Sequence, residues 1–358
     1  MAEGEPVQCR VAVAILNWNG EPHLRRFLHT VVAHCEEPDR VVLIDNGSTD
    51  GSLAFVRESA PHVEVIALPE NLGFAGGYNA GIKLLQARLQ AEWVLLLNSD
   101  VEVTKGWVGQ MVDACDRHGW TAAQPKIRSL ERRAEFEYAG AAGGYMDRHG
   151  FMFCAGRIFD ECELDAGQYD DERSIFWASG AALMVRFSAW NSIQGLDEDF
   201  FAHMEEIDLC WRLRNRGHSI GVATATHVYH LGGGTLSHDH PRKTQLNFRN
   251  NLYLLLKNDH RSGIRWRIFV RQLLDGMAGV RLLLSGKPAH CMAVIRAHVE
   301  FRSNRSLMRG KRAEEQKTCV SLERSSMAGS GFYSGSIIAD FFFRGRRKWS
   351  ALPRSRFH

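Results

Sequence analysis

The chain has 358 residues, 45% of them hydrophobic and 24% charged, which suits one large domain with an appendage, or two domains. No window approaches the roughly 18 uninterrupted apolar residues of a spanning helix, which excludes one, and residues 1–8 are polar, so no signal peptide is expected. The net charge of +3 hides an asymmetry: from residue 260 onward 20 Lys/Arg face 6 Asp/Glu, net +14, which leaves 24 against 35, net −11, for the rest. An acidic body with a basic tail points to something anionic as the tail's partner, lipid headgroups or nucleic acid. The eight cysteines form no Cys-x-x-Cys and no metal-ligand cluster, so free thiols in a reducing cytosol are expected.

In chain order, residues 11–16 form a short apolar run that ends at Asn17-Trp18-Asn19-Gly20. Residues 24–35 have helical spacing, and residues 41–44 read as a second buried strand ending at Asp45-Asn46-Gly47. Ser48 or Thr49 is placed to cap a helix around 53–58. Residues 63–67 form a third strand, 71–77 a glycine-rich loop and 78–91 a helix; residues 93–97 then form a strand that emerges at Asn98-Ser99-Asp100. Strand–helix alternation of this kind implies a parallel sheet with helices on both faces. Residues 124–174 read as loops and short strands, 175–186 as an apolar stretch around Ser179-Gly180, 205–216 as a helix, and 219–225 as a strand leading to His230. Residues 263–285 carry an apolar face flanked by arginines, and residues 318–358 are expected to be partly disordered.

Buried parallel strands are continuous apolar runs, and ligands bind outside their carboxyl ends. Asp45 and Asp100 both sit at such ends, so a parallel sheet puts them on one rim. Two acids there suit a nucleotide: one accepts from a base N–H, the other holds a hard cation such as Mg²⁺ together with substrate phosphates. Asp45-Asn46-Gly47 is equally a tight turn, and a lone acid after a strand is often a helix cap. The glycines around Gly76 and Gly77 permit close backbone approach, and a helix starting near Tyr78 would aim N–H groups at phosphate. Glu205, Glu206 and Asp208 open a helix, where acids complement the dipole; one of them within reach of an acceptor hydroxyl would also serve as a general base. His230 leads into three glycines that suit a loop closing on ligand. Arg249 could bind phosphate or stay solvated.

Taken in order, Ile44 through Ser52, the loop 71–79, Leu97-Asn98-Ser99-Asp100, Glu205-Glu206-Ile207-Asp208 and His230 resemble the family 2 inverting glycosyltransferases of the GT-A fold, in their bacterial rhamnosyltransferase-like branch. The resemblance covers roughly residues 9–258 and implies a Rossmann-like, mainly parallel sheet with helices on both faces. It implies a catalytic domain over 1–258; the charge and apolar pattern beyond it adds a basic amphipathic helical extension over 259–317 and a partly disordered basic tail over 318–358. The donor site it implies comprises Asn17, Asn19, Asp45, Asn46, Gly76, Gly77, Asn79, Asn98, Ser99 and Arg249. Asp100 and His230 correspond to the ligands of a divalent metal, Mg²⁺ or Mn²⁺. Glu206 falls at the catalytic carboxylate, with Glu205 and Asp208 as neighbours, and Trp177, Ser179 and Gly180 line the sugar and acceptor pocket. Two residues depart from the commoner pattern: Asn98 replaces the first Asp of the metal-binding triplet, and the catalytic position is Glu rather than Asp.

The implied reaction moves a sugar, rhamnose from dTDP-rhamnose by preference or a hexose from a UDP-sugar, to a hydroxyl of a glycan or lipid-linked acceptor in surface polysaccharide synthesis. A sugar nucleotidyltransferase and a non-catalytic sugar-nucleotide-binding protein are the alternatives. Residues 263–285 are expected as an amphipathic helix on the cytoplasmic membrane face, or else as a helix packed on the catalytic domain. The tail carries no interpretable nucleic-acid motif, so no nucleic-acid partner is expected.

Overall fold

The computed structural model describes residues 6–232, 240–319 and 331–358. Strands β1 (Val7–Asn17), β2 (Arg40–Asp45), β3 (Glu64–Ala67) and β4 (Leu89–Asn98) lie parallel in the order β4-β1-β2-β3. β1, β2 and β4 carry the apolar runs that strands covered on both faces need, and β3 is a short edge strand. Helices α1 (Glu21–Ala33) and α2 (Ser52–Ser59) cover one face, where Leu24, Leu28 and Val56 meet Val11, Val13, Leu43 and Leu95. Helix α3 (Gly73–Leu85) covers the other, with Tyr78 and Ile82 against Ala12, Ala14, Val42 and Leu96. Alternate residues of each strand therefore serve two separate cores.

α3 corrects the expected loop over 71–77, because the glycine-rich stretch is the helix's own first turns. The reason is packing. A Cβ on Gly77 would stand 2.8 Å from a Leu16 methyl, and one on Gly81 would stand 2.4 Å from Ile44. The glycines let the helix backbone rest directly on β1 and β2.

The second half widens the sheet. β5 (Val101–Val103), α4 (Trp107–His118) and β6 (Ala122–Ser129) follow β4. Residues 124–174 include the short strands β7 (Gly144–Asp147), β8 (Met152–Cys154), β9 (Arg157–Ile158), β10 (Glu161–Cys162) and β11 (Arg173–Ser174). β12 (Ala182–Arg186), α5 (Phe187–Ser192), α6 (Glu205–Asn215) and β13 (Ile220–His230) complete it. Among the described residues the main sheet has nine strands in the order β11-β13-β6-β12-β4-β1-β2-β3, with β5 on β13. β12 enters antiparallel between β4 and β6, so the sheet is mixed: β4, β1, β2 and β3 are parallel, β6 and β13 pair parallel with each other, and β12 and β11 run antiparallel to their neighbours. α6 packs its Leu209 and Leu213 into the same core as α3.

Helices α7 (Pro241–Asn258), α8 (Ile264–Leu284), α9 (Pro288–Ser303) and α10 (Arg305–Thr318) form a helical extension, packed α7 on α9, α8 on α9 and α10 on α7. No helix among the described residues is long and apolar enough to cross a membrane. The last strand, β14 (Phe332–Tyr333), pairs parallel with β7 and closes a second sheet ordered β10-β9-β8-β7-β14. Within the basic tail, residues 331–358 pack against the body. Phe332, Tyr333, Ile337 and Leu352 are buried, and the Asp147 carboxylate accepts from Ile337 N at 2.9 Å.

Candidate active site

Strand register builds the rim. Asn17 of β1 stands beside Asp45 of β2, and Leu16 beside Asn98 of β4, so three strands end together. Asn17 Nδ2 donates to Asp45 Oδ1 at 3.0 Å and to Ser48 Oγ at 3.1 Å, and the other oxygen of Asp45 accepts from Ser48 N at 3.0 Å. Asn19 Oδ1 accepts from Thr49 N at 2.8 Å. Asn17 Oδ1 is buried with no partner, which leaves an acceptor at the mouth of β1. The Asp45–Ser52 turn is therefore both the tight turn and a polar wall on the rim.

Across the rim, β5 pairs with β13 so that His230 lies opposite Val101, next to Asp100. His230 Nε2 is 3.2 Å from Asp100 Oδ1 and 3.4 Å from Asn98 Nδ2, and its Nδ1 is 3.4 Å from Glu137 Oε2. All three ionisable groups are buried. Burial alone would disfavour every charge here, yet mutual attraction outweighs it: His230 is raised to about 10, and Asp100 and Glu137 fall below the usual carboxylate range. Glu137 is a residue that sequence reasoning missed. It belongs to no motif, and only the folding of the 130s segment back along β6, with Glu137 N donating to the Ile127 carbonyl at 3.0 Å, brings it to His230. Ser99 sits partly buried between Asn98 and Asp100, its Oγ near Gly20. Gly233 and Gly234, expected as a closing loop, lie outside the described residues.

The Asp100–His230 contact is an ion pair, and a divalent cation would take it over only by displacing the imidazole proton. Two ligands of one small octahedral ion with bonds near 2.1 Å stand about 3 Å apart, the separation of Asp100 Oδ1 and His230 Nε2. Among the described residues no set of three Asp, Glu, His or Cys side chains encloses an ion, so the protein would supply two donors and leave the others to diphosphate and water. Glu137 stands behind the imidazole, where a carboxylate would orient a metal-ligating histidine.

The catalytic candidates come from α6. It emerges from a loop in which Phe201, His203 and Met204 all have positive φ, 65°, 69° and 73°. The buried Asn250 of α7 holds that loop, its Nδ2 placed 3.0, 2.9 and 2.7 Å from the carbonyls of Phe200, Ala202 and His203. Glu206 follows, its Cβ and Cγ facing Gly180 beside Phe74. Ala181, next in chain, accepts from Asn98 N at 3.0 Å, so Glu206 stands against the same rim. Burial lifts the Glu206 carboxyl to about 7. Glu205 is more deeply buried, with Oε2 unpartnered; burial and the neighbouring Glu206 hold it well above the carboxylate range. A group near 7 is matched to accepting a proton near neutrality.

Several expected site residues instead hold the frame. The Asp208 carboxylate is paired with Arg212 Nε at 2.7 Å, Lys257 Nζ at 2.8 Å and Asn258 Nδ2 at 2.7 Å, and faces away from the rim. Arg249 ion-pairs with Glu300 and donates to the Phe200 carbonyl at 2.9 Å, so its charge is already spent inside the fold. Asn79 clamps the 196–198 turn, its Oδ1 accepting from Leu196 N at 2.9 Å and its Nδ2 donating to Glu198 at 3.0 Å. Asn46 Nδ2 donates to the Gly73 carbonyl at 2.9 Å and its Oδ1 accepts from Leu72 N at 3.0 Å, which ties β2 to α3. Gly76 and Gly77 are buried in α3. Trp177 lies in the core with Nε1 donating to the Tyr145 carbonyl at 3.1 Å, while Ser179 is held by Gln124 at 2.8 Å. Of that segment, Gly180 faces Glu206.

The mixed sheet between helices, with a polar rim at the ends of β1, β2 and β4, has the architecture of the GT-A fold. Residues 12–138 match the family model described as Glycosyl transferase family 2. It is 28% identical over 291 residues, 75% of this chain and 90% of the relative, to the N-acetylglucosaminyl-diphospho-decaprenol L-rhamnosyltransferase of Mycobacterium tuberculosis. It is 23% identical over 222 residues, 62% of this chain and 66% of the relative, to the low-salt glycan biosynthesis hexosyltransferase Agl10 of Haloferax volcanii. Among solved structures, residues 1–349 of S. aureus TarS in complex with UDP-GlcNAc align with a TM-score of 0.52 at 16% identity, over 90% of this chain and 92% of that one, and share the fold.

Proposed function

We propose that the protein is an inverting glycosyltransferase that moves a sugar, rhamnose by preference, from a dTDP- or UDP-linked donor to a hydroxyl of a lipid-linked or glycan acceptor. The setting is surface polysaccharide synthesis at the cytoplasmic face of the membrane, contacted through the basic helical segment. The observation that carries the reading is the pairing, on one rim, of a carboxyl poised near 7 at Glu206 with the Asp100–His230 pair. The mycobacterial relative, named for rhamnosyl transfer to a diphospho-decaprenol, supports the choice of sugar and acceptor.

Asn17 and Asp45 present a polar edge to the base of the donor. Asp100 and His230 would hold a Mg²⁺ or Mn²⁺ ion, which would supply positive charge to neutralise the departing diphosphate. Glu206 accepts the proton of the acceptor hydroxyl, worth roughly 10²–10⁴-fold in rate. The hydroxyl oxygen bonds to the anomeric carbon from the face opposite the nucleotide, the carbon–oxygen bond to the diphosphate breaks, and the nucleoside diphosphate leaves with the electron pair. Inversion follows from in-line attack.

The test is a panel of dTDP-rhamnose, UDP-galactose, UDP-GlcNAc and GDP-mannose, each with GlcNAc-diphospho-prenol and with Mg²⁺, Mn²⁺ or EDTA. Metal-dependent glycosylation of the prenol from dTDP-rhamnose is expected. Binding of a donor with neither transfer nor hydrolysis would make the protein a binding module and reject the proposal.

A further inference from the structure

α8 is built inside out for a helix on a soluble body. Its buried face carries an ion pair: Arg271 Nε donates to Asp275 Oδ1 at 2.7 Å, and the guanidinium also donates to the Gly150 carbonyl and lies 3.7 Å from the Phe151 ring centroid. Its outward face carries Trp266, Phe269, Leu273, Met277, Val280 and Leu284, at spacings of three and four that keep them on one stripe. Trp266 is 66% exposed, Met277 62% and Leu284 82%. α9 adds Ile295 and Val299 alongside, both more than half exposed. Surface helices bury the apolar stripe and expose the charges; a contiguous exposed apolar face of this kind marks an interaction site.

The charge around the stripe says what covers it. Arg265, Arg302, Arg305 and Arg309 converge where α8, α9 and α10 meet, at a cleft of about 550 Å³ whose walls include Phe269, Ile295 and Val299. Among the described residues no carboxylate is ion-paired to any of the four. Arg305 Nε is buried without a partner, and partial burial together with repulsion from the other three arginines depresses its pKa. An uncompensated arginine cluster beside an apolar face is complementary to a surface that is anionic above and hydrocarbon beneath. A second copy of the chain would oppose like charge to like charge.

The geometry points to the outer face of α8 and α9 as a docking surface for an anionic lipid bilayer, the stripe entering the acyl boundary and Arg302 and Arg305 taking lipid phosphates. This deepens the proposed membrane setting and rests on it only for its biological purpose. The helices lie in the interface plane rather than crossing it, as expected of amphipathic segments with aromatic and leucine side chains on one face and arginines at the edge.

The experiment is co-sedimentation of the full chain, without donor or metal, with vesicles of neutral phosphatidylcholine or of phosphatidylcholine with phosphatidylglycerol. Wild type is expected to bind the anionic vesicles far more tightly than the neutral ones. R302Q/R305Q should bind the anionic vesicles about 30-fold more weakly, from two charges each worth about fivefold at an anionic leaflet. L273S/M277S, at exposed positions, should lose binding to both kinds while keeping its melting temperature in buffer. Failure of wild type to bind anionic vesicles overturns the inference, as does unchanged binding by either variant. Dimerisation through α8 in buffer, or saturation of the cluster by inorganic diphosphate with full release from vesicles, overturns the bilayer as the occupant. Sugar-nucleotide binding, read separately by thermal shift, is expected to be unchanged in both variants, so failure here is distinguishable from failure of the glycosyltransferase reading.

Discussion

Replacing Asn250 with Ala should uncouple the catalytic carboxylate from the donor site. Three residues without the freedom of glycine, Phe201, His203 and Met204, occupy the left-handed region just before α6. Each costs about 1 kcal/mol or more relative to ordinary helical backbone, so the loop holds roughly 3 kcal/mol of strain. Against it stand the two amide protons of Asn250, shared among three carbonyls. Their loss removes roughly 1 kcal/mol per hydrogen bond and leaves buried carbonyls unsatisfied, about 2–4 kcal/mol in all. Because the two magnitudes are comparable, the alanine variant should relax the loop rather than tolerate the strain, and Glu206 two residues beyond should move. A displacement of about 1 Å at a catalytic group costs on the order of 10²-fold in rate. The assay is steady-state transfer together with donor affinity by calorimetry, at temperatures where circular dichroism shows the variant folded. kcat should fall about 100-fold with donor Kd nearly unchanged, since Asn17, Asp45 and Asp100 are carried by other elements. A folded variant with wild-type kcat would refute the reasoning.

Glu206, lifted by burial to about 7, should make kcat/KM rise with pH and level off above about 7. The same shift has a stability consequence. The folded state binds this proton more tightly than the unfolded chain, so the stabilisation is complete below the ordinary value of 4.5 and lost as pH rises through about 7. Calorimetric melting should therefore find Glu206→Gln gaining on wild type at pH 8 and not at pH 4; equal differences at both would contradict it. Asp208→Asn should destabilise by roughly 3–5 kcal/mol in urea unfolding, because it breaks a buried pair with Arg212 and Lys257, while donor Kd of the folded fraction stays unchanged. Glu137→Gln should weaken Mn²⁺ binding, read by electron paramagnetic resonance, by about 10–100-fold; unchanged affinity would remove Glu137 from the metal site.

The rim was legible in the sequence because it depends on local pattern. An apolar run that ends in Asn-Ser-Asp or Asp-Asn-Gly can hardly be anything but a buried strand reaching solvent, and parallel register then aligns the ends. What depended on tertiary packing was not legible. Gly76 and Gly77 look like a loop by composition, yet they serve a helix pressed against Leu16 and Ile44. Asn79, Arg249 and Asp208 carry functional chemistry, and the fold spends it on holding turns and helices together. Trp177 reads as a pocket wall and is a core residue over Gly144. Glu137 has no motif around it, and β12 shows no sign of its antiparallel direction. The arginine-flanked periodicity of 263–285 announces an amphipathic helix but not that its charged pair faces inward.

The most direct measurement of the central claim is single-turnover transfer from radiolabelled dTDP-rhamnose to GlcNAc-diphospho-prenol by wild type and by Glu206→Gln, with donor affinity measured on the same samples. The account predicts inverted product from wild type, and donor affinity retained with transfer lowered by 10² or more in the variant. Transfer by Glu206→Gln at the wild-type rate, or retained anomeric configuration in the product, would contradict it.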